Sequence, residues 1–146
     1  MSVEGDPEYL PDWHFVVLGD GSQRPVVEKA SNEMENAHYL GTVPHETVSG
    51  FLHVSDVGIS LVDDRNSLKI LEYGAAGLPG VSVEGDPENL FKSMVEFCRL
   101  NQEDIAETTR RAYERGTSEE LRELTRNHSW ERVADEYEEV FRKVAQ

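Results

Sequence analysis

Residues 63–83 read DDRNSLKILEYGAAGLPGVSV, and this segment gives the strongest indication of the fold class. A polar loop comes directly after an apolar run at 56–62 and leads into a helix-forming segment at 68–76. Gly77 and Pro79 predict the end of that helix, because glycine favours the left-handed cap conformation and proline does not continue a helix. The apolar residues 80–83 predict a strand. Strand, helix and strand in this order predict a right-handed crossover unit in a parallel sheet.

The same alternation continues on both sides of this stretch. Short apolar runs at 14–18 and 37–40 predict two further strands, each of which ends at a glycine. Helices are predicted at 24–28, after Pro44, after Asp86, over 102–126 and after Ser129. The helix after Asp86 would place Phe91, Met94, Val95 and Cys98 on one face. The fold class is therefore α/β, a Rossmann-like parallel sheet flanked by helices, in a single domain 1–146 with a lead-in 1–12, a core 13–126 and a C-terminal helix 128–146.

Composition limits the classes of function. The 146 residues carry 14 Lys and Arg against 29 Asp and Glu, a formal net charge of −15. Such a surface repels nucleic acid and anionic membranes. A single cysteine excludes an intrachain disulfide framework. The sequence has no apolar run of transmembrane length, and residues 1–6 are acidic rather than signal-like. We expect a cytoplasmic protein, and the acidic, lysine-poor composition favours a high-salt cytoplasm over an ordinary acidic protein.

Parallel α/β sheets bind ligands at the carboxyl ends of their strands. The residues near 66–68 begin a helix there, so their free N–H groups and the helix dipole form a candidate anion site. Lys69 can add a positive charge, or it is an ordinary solvated lysine. Glu72 lies one turn further on, where its carboxylate can accept hydrogen bonds from the two hydroxyls of a ribose. The alternative for Glu72 is a surface helix glutamate.

These residues resemble the carboxyl-terminal domain of group-1 glycosyltransferases of the GT-B fold. The segment KILEYGAAGLP at 69–79 is similar to the family phrase K-x-x-E-Y-x-A-x-G-x-P. The segments VVLGDG at 16–21 and YLGTVP at 39–44, and the Ser-Trp pair at 129–130, also match the order of the family. The resemblance runs from about residue 12 to residue 146.

The resemblance implies a domain that binds a nucleotide-sugar donor such as a UDP- or GDP-sugar. In the family an acidic pair E-x7-E contacts this donor. The resemblance matches its first acid to Asp64, which would contact the donor sugar, and its second acid to Glu72, which would bind the ribose. No cofactor or metal is expected, because backbone groups would hold the diphosphate. The remaining candidate donor residues are the backbone of Asn66, Ser67 and Leu68, the side chain of Lys69, and the loop residues Gly19, Gly21, Gly41, Thr42 and Val43.

The sequence departs from the family in several places. Asp64 is one methylene shorter than the family's glutamate, and Gly80 stands where a valine is usual. The family's opening strand, its Arg/Lys pair for the donor phosphates and its acceptor-binding domain have no counterpart here; Arg24 and Arg65 do not match that pattern. We therefore expect a donor-binding domain that is incomplete for catalysis alone and is completed by a separate domain or by a homo-oligomer.

Other functions remain open from the sequence. The chain is alternatively a non-catalytic scaffold that uses the apolar stripe of its last helix, or a nucleotide-sugar epimerase fragment. We expect that stripe (Trp130, Tyr137, Phe141 and Val144) to pack on the chain's own sheet rather than on a partner. The five histidines have no paired-ligand spacing, so each is expected to be a surface or core residue. The segment SVEGDPE occurs at both 2–8 and 82–88, and no physical reason for this repeat is apparent.

Overall fold

A computed structural model of the chain describes residue 10 and residues 12–61, 68–85, 91–127 and 129–145. The predicted α/β fold class is confirmed, with parallel strands and flanking helices. The described strands are β1 (Phe15–Leu18), β2 (Ala37–Gly41), β3 (Gly58–Ser60), β4 (Gly80–Val83) and β5 (Glu96–Cys98). The described helices are α1 (Arg24–Glu33), α2 (His45–Val54), α3 (Leu68–Ala76), α4 (Gln102–Arg115), α5 (Glu119–Asn127) and α6 (Trp130–Val144).

The strands form two small parallel sheets rather than the one sheet predicted from the sequence. One contains β1 and β2, and the other has the order β3-β4-β5. Helix α1 connects β1 to β2, and α3 connects β3 to β4, so each sheet contains a parallel strand pair with a helical crossover. The described part of the quoted stretch, residues 68–83, therefore forms the crossover helix and the central strand of the second sheet.

The prediction of one helix through 91–98 is wrong. Residues 91–95 form turns, and Glu96–Cys98 form a fifth strand parallel to β4. Cys98 is fully buried there, as predicted, but in a strand. A three-residue strand shows too little alternation for the sequence to distinguish it from a turn of helix. The proposed start of that helix, Asp86 with Pro87, lies outside the described residues.

Helix α3 packs closely against the second sheet and α5. Ile70 is fully buried in a cluster with Phe91, Val95 and Leu121. A Cβ atom on Gly74 would lie 2.7 Å from Leu121 Cγ, so glycine allows α5 to approach α3 closely. The helix ends at Gly77, whose φ of 75° confirms the predicted left-handed cap.

Glycine at position 80 also has a packing role. A Cβ atom there would lie 2.9 Å from Val95 Cγ1 and 3.8 Å from Ile70 Cδ1. The valine usual in the family at this position therefore does not fit beside Val95 without a shift. The departure from the family pattern is explained by the side chain that occupies the space.

The C-terminal region contains three helices where one long helical segment and a final helix were predicted. Gly116, with φ 74°, separates α4 from α5. The Asn101 side chain accepts a hydrogen bond from the Asp104 N–H and caps α4, and Ser129 caps α6 through the Arg132 N–H. The predicted helix start at Ser129 is thereby confirmed.

The apolar stripe of α6 does not pack on the chain's own sheet, contrary to the prediction. The exposed fractions are 63% for Tyr137, 69% for Phe141 and 79% for Val144, and Val140 between them is 56% exposed. The side chains of Trp130 and Val133 lie outside the described part of the structure. Among the described helices, none combines the length and apolar character that crossing a membrane requires.

Candidate functional site

The predicted site divides into a part that the structure describes and a part that it does not. Asp64, Asn66 and Ser67 lie outside the described residues, which end at 61 and resume at 68. Their predicted contacts with donor sugar and diphosphate therefore remain predictions. The first turn of α3, the loop after β1 and the loop after β2 are described.

The first turns of α3 expose one polar face. Leu68, Lys69 and Glu72 are exposed, whereas Ile70 and Gly74 on the opposite side are buried. Residues 69 and 72 are three positions apart, so their side chains are neighbours on the helix surface. The helix thus presents a cation and a carboxylate together near its amino end.

Tyr73 connects helix α3 to strand β3 through its ring and its hydroxyl. Its ring covers Gly58, where an added Cβ would lie 2.4 Å from the ring's Cγ atom. Its hydroxyl donates a hydrogen bond of 2.9 Å to the Ile59 carbonyl. Burial, with the neighbouring charge of Glu72 as a second cause, raises the pKa of Tyr73 to about 12. The hydroxyl is therefore a stable donor at neutral pH, and it holds the residue adjacent to Glu72 in place.

The two predicted glycine loops meet at the ends of β1 and β2. Gly19, with φ 115°, donates its N–H to the Gly41 carbonyl at 2.8 Å, and Gly41 has φ 67°. The strand register shifts between Val17 and Leu18. Val17 pairs with Tyr39 but Leu18 pairs with Gly41, so the pairing skips Leu40. Both glycines adopt a backbone conformation that side-chain-bearing residues rarely occupy. The structure therefore brings Gly19 and Gly41 together.

Hydrogen bonds and ion pairs among neighbouring residues hold the loop between Gly19 and α1. The Gly21 N–H donates to Asp20 Oδ1 at 2.8 Å, and Arg24 contacts Asp20 at 3.5 Å and Glu28 at 2.8 Å. The hydrogen bond and charge of Glu28 raise the pKa of Arg24 further above its ordinary value. Arg24 is therefore engaged by carboxylates of its own segment.

The amino end of α1 offers few donors to an anion. The N–H groups of Val26 and Val27 donate to the Gln23 carbonyl, at 3.1 Å and 3.2 Å, and Pro25 has no N–H. The Arg24 N–H donates to the Gly21 carbonyl at 3.1 Å. A diphosphate would compete with these bonds at α1.

The loop after β2 is short and leads into α2. Thr42 is exposed and Val43 half-buried, and Pro44 stands directly before the first residue of α2. The Pro44 carbonyl accepts hydrogen bonds from the Thr47 N–H and hydroxyl, at 2.9 Å and 2.7 Å. The prediction of proline at the start of this helix is confirmed. In the part of the chain that the structure describes, no hydrogen bond or ion pair links these loops to Lys69 or Glu72.

Sequence reasoning missed the residue that holds the glycine loop. The Tyr39 hydroxyl donates to the Gly19 carbonyl at 2.8 Å, and the Tyr39 N–H donates to Ser31 Oγ at 3.1 Å. Tyr39 thus connects β2, α1 and the loop after β1. The alternation of Ala37 and Tyr39 on one face of β2 was a signal for this position.

Within the described ranges, no group of three or more His, Cys, Asp or Glu side chains is arranged to hold a metal ion. Two histidines do lie in contact, at 14 and 38, outside the predicted donor residues. The sequence did not predict this pairing, because 24 residues separate them.

The glycine turns after β1 and β2 lie at the carboxyl ends of these strands, which is where open α/β sheets bind their ligands. The chain matches the family of glycosyl transferases group 1 over residues 4–115. Since this range covers well over half of the chain, the protein belongs to the group 1 glycosyltransferase family, and the suspected resemblance is confirmed. The match ends at the last residue of α4. A comparison with curated proteins finds no match.

Proposed function

We propose that this glycosyltransferase-family domain binds the nucleotide-sugar donor. The observation that carries the proposal is the exposed face of α3, on which Lys69 and Glu72 stand side by side. The helix beneath them is anchored by the buried Ile70, by Gly74 against α5 and by the Tyr73 hydroxyl on β3. A polar face held this firmly is suited to preorganised ligand contacts.

Glu72 is proposed to bind the ribose. A carboxylate has two oxygens and accepts hydrogen bonds from both vicinal hydroxyls of a ribose. Lys69 is proposed to contact a phosphate, because its ammonium group lies in the first turn of α3, where the helix dipole also favours an anion. In a nucleoside diphosphate the ribose and the phosphates are adjacent. Their proposed partners, Glu72 and Lys69, are likewise adjacent on the face of α3.

The diphosphate is proposed to lie at the amino end of α3, on the backbone N–H groups of Asn66, Ser67 and Leu68. The amino end of α1 is the less suitable place for a diphosphate, since the first N–H groups of α1 are engaged in the chain's own turns. In glycosyl transfer the leaving diphosphate gains negative charge, which the helix dipole and Lys69 would stabilise. Asp64 is proposed to contact the donor sugar.

The loops after β1 and β2 are proposed to border the donor. Their residues Gly19, Gly21, Gly41, Thr42 and Val43 lie at or beyond the carboxyl ends of β1 and β2, where doubly wound sheets take their ligands. The left-handed conformations of Gly19 and Gly41 leave backbone without Cβ atoms at this edge, and no atom lies within 4 Å of an added Cβ at Gly19 or Gly21. A ligand can therefore approach the backbone closely.

Catalysis is proposed to need more than this domain. The reaction would transfer the sugar to an acceptor hydroxyl, and the acceptor would be bound by a separate domain or a second subunit. We further propose that the protein works in the cytoplasm of a cell with high internal salt, which would screen the net charge of −15.

Isothermal titration calorimetry with UDP, GDP and ADP in molar salt tests the proposal. We expect one nucleotide to bind and Glu72→Ala to lose that binding. Glu114→Ala is the matched control, because it removes an exposed glutamate of helix α4 and changes the net charge by the same amount. Absence of binding by all three nucleotides to the folded chain would refute donor binding, and equal losses in both variants would refute the proposed role of Glu72.

A second candidate function, a partner-binding module, is favoured by one observation. The exposed stripe of Tyr137, Val140, Phe141 and Val144 follows the i, i+3, i+4, i+7 spacing of a helix that packs on another element. Sedimentation velocity in molar salt separates the outcomes. Association that is lost in Phe141→Glu supports a partner surface, and a monomer at all concentrations contradicts self-association.

A further inference from the structure

Helix α6 is exposed to solvent along its whole described length. Its side chains at 131, 132 and 134–144 are all exposed. Ser129 caps the first turn, and three ion pairs one turn apart lie on its surface: Arg132–Glu136, Glu138–Arg142 and Glu139–Lys143. Exposed ion pairs contribute little, and a helix of about 15 residues is marginal in water without packing. A surface that covers α6 would therefore stabilise it.

The face of α6 that needs cover is apolar. It comprises Ala134 and the exposed stripe of Tyr137, Val140, Phe141 and Val144. Two aromatic side chains in one stripe supply most of its contact area. Two such stripes packed together would bury on the order of 1,000 Å² in total, which is the low end of the range for specific complexes. We therefore expect a weak association at this face.

The charges beside the stripe indicate what covers it. Glu136 and Lys143 stand two turns apart on one edge, directly before Tyr137 and Val144. Residues that flank an apolar helix seam pair across it and set the orientation of the helices. If a second α6 runs antiparallel, Glu136 lies beside Lys143 of the second copy, and the reverse pair forms by symmetry. In a parallel pair the acidic residues within 135–139 of both copies would lie at one height, and the helix dipoles would repel.

We propose that α6 pairs with α6 of a second copy of this chain, antiparallel, about a two-fold axis between residues 138 and 139. Tyr137 of each copy then packs on Val140 of the other, and Phe141 packs on Ala134. An interface with two-fold symmetry forms each of these contacts twice. The proposal names the partner for the second candidate function and rests on it, and it is independent of donor binding.

Net charge sets the conditions under which the two copies associate. Each copy carries −15, so the copies repel one another at low ionic strength. The Debye length falls to about 3 Å in 1 M salt, which screens this long-range repulsion, whereas charges in contact across the helices are screened less. We therefore expect the association to strengthen as the salt concentration rises from about 0.1 M to about 1 M.

Sedimentation equilibrium in molar salt, with the chain at up to about 1 mM, measures the association. We expect a monomer–dimer equilibrium that weakens by about tenfold or more in Phe141→Glu. Leu100→Glu is the matched control, because Leu100 is 68% exposed and Phe141 is 69% exposed, but Leu100 lies outside α6. It should leave the association unchanged. A monomer over the whole range, or equal weakening in both variants, would overturn the proposal.

A charge reversal tests the pairing of Glu136 with Lys143. Glu136→Lys would place two cations side by side across the helices and should weaken the dimer by about threefold or more at the lowest salt that supports it. Glu138→Lys is the matched control, because it makes the same change in charge and also removes one ion pair within α6, to Arg142. Equal effects of the two variants would contradict the proposed register.

Distances between spin labels on the two copies determine the orientation. Cys98 is fully buried, so labels are expected at introduced cysteines alone. With a helix rise of about 1.5 Å per residue, labels at Glu131→Cys would lie about 22 Å apart along the helix axes, and labels at Glu139→Cys about 2 Å. Equal distances at the two positions would show a parallel pair and refute the antiparallel one. Any of these failures leaves the nucleotide titration with Glu72→Ala unaffected, so the two functions are tested separately.

Discussion

Gly58 lies directly against the aromatic ring of Tyr73. An alanine at position 58 would bring its Cβ to 2.4, 2.5 and 2.6 Å from three ring atoms of Tyr73, where 3.4–4 Å is ordinary contact. The ring would therefore have to move by about 1 Å. Its hydroxyl would then be drawn away from the Ile59 carbonyl, which it now meets at 2.9 Å.

The expected cost follows from three contributions. Overpacking of this kind costs about 1–3 kcal/mol, and loss of the tyrosine hydrogen bond adds about 0.5–1.5 kcal/mol. Alanine restricts the unfolded chain more than glycine does, which offsets about 0.4–1 kcal/mol. Together these contributions span about 0.5–4 kcal/mol, so we expect Gly58→Ala to lower the free energy of unfolding by about 2 kcal/mol, equivalent to a fall of about 4–8 °C in Tm.

Urea unfolding in molar salt, followed by circular dichroism, measures this free energy. Gly50→Ala is the control, because Gly50 lies in α2 with no atom within 4 Å of the added Cβ, and alanine there should stabilise by about 0.5–1 kcal/mol. The decisive comparison repeats Gly58→Ala in a Tyr73→Leu background, which removes the ring. A cost that is equally large without the ring, or below about 0.5 kcal/mol with it, would refute the reasoning.

Three further predictions address the elements around the site. The pKa of Tyr73 is raised to about 12 in the folded chain, compared with about 10 in the unfolded chain. The protonated hydroxyl therefore contributes stability on the order of 2 kcal/mol below pH 10, and this contribution is lost as the pH rises from about 10 to 12. Tyr73→Phe should flatten the pH dependence of the urea midpoint between about pH 10 and pH 12. Tyr39→Phe removes the bond to the Gly19 carbonyl and should cost about 0.5–1.5 kcal/mol while increasing amide hydrogen exchange at Gly19 and Gly21; unchanged exchange would contradict its role. Asn101→Ala removes the cap of α4 and should cost about 1 kcal/mol in urea unfolding, with Asn101→Ser recovering most of it; a neutral effect of the alanine variant would show that the cap is unimportant.

The sequence predicted the fold class and most element positions because those signals are local. Short apolar runs that end at glycine indicated β1 and β2, and a C-cap glycine with a following proline located the end of α3. The family was recognisable for a related reason. The phrase at 69–79 combines buried helix positions with exposed polar ones at fixed spacing, and spacing along one helix is fully contained in the sequence.

The sequence did not determine what depends on long-range packing. It predicted helix where β5 lies, because three residues carry little periodicity and the strand is stabilised by pairing with β4. It placed the α6 stripe against the chain's own sheet, since amphipathicity shows that a face is apolar but not which surface covers it.

Local pattern determined where Lys69 and Glu72 stand on their helix, and tertiary structure determined what holds that helix. The ring of Tyr73 over Gly58, the approach of α5 at Gly74 and the meeting of Gly19 with Gly41 all join residues that are distant in the chain. The pairing of His14 with His38 is of the same kind. Residue spacing along one helix is set by backbone geometry, whereas contacts between elements depend on strand register and packing, which only the folded chain specifies.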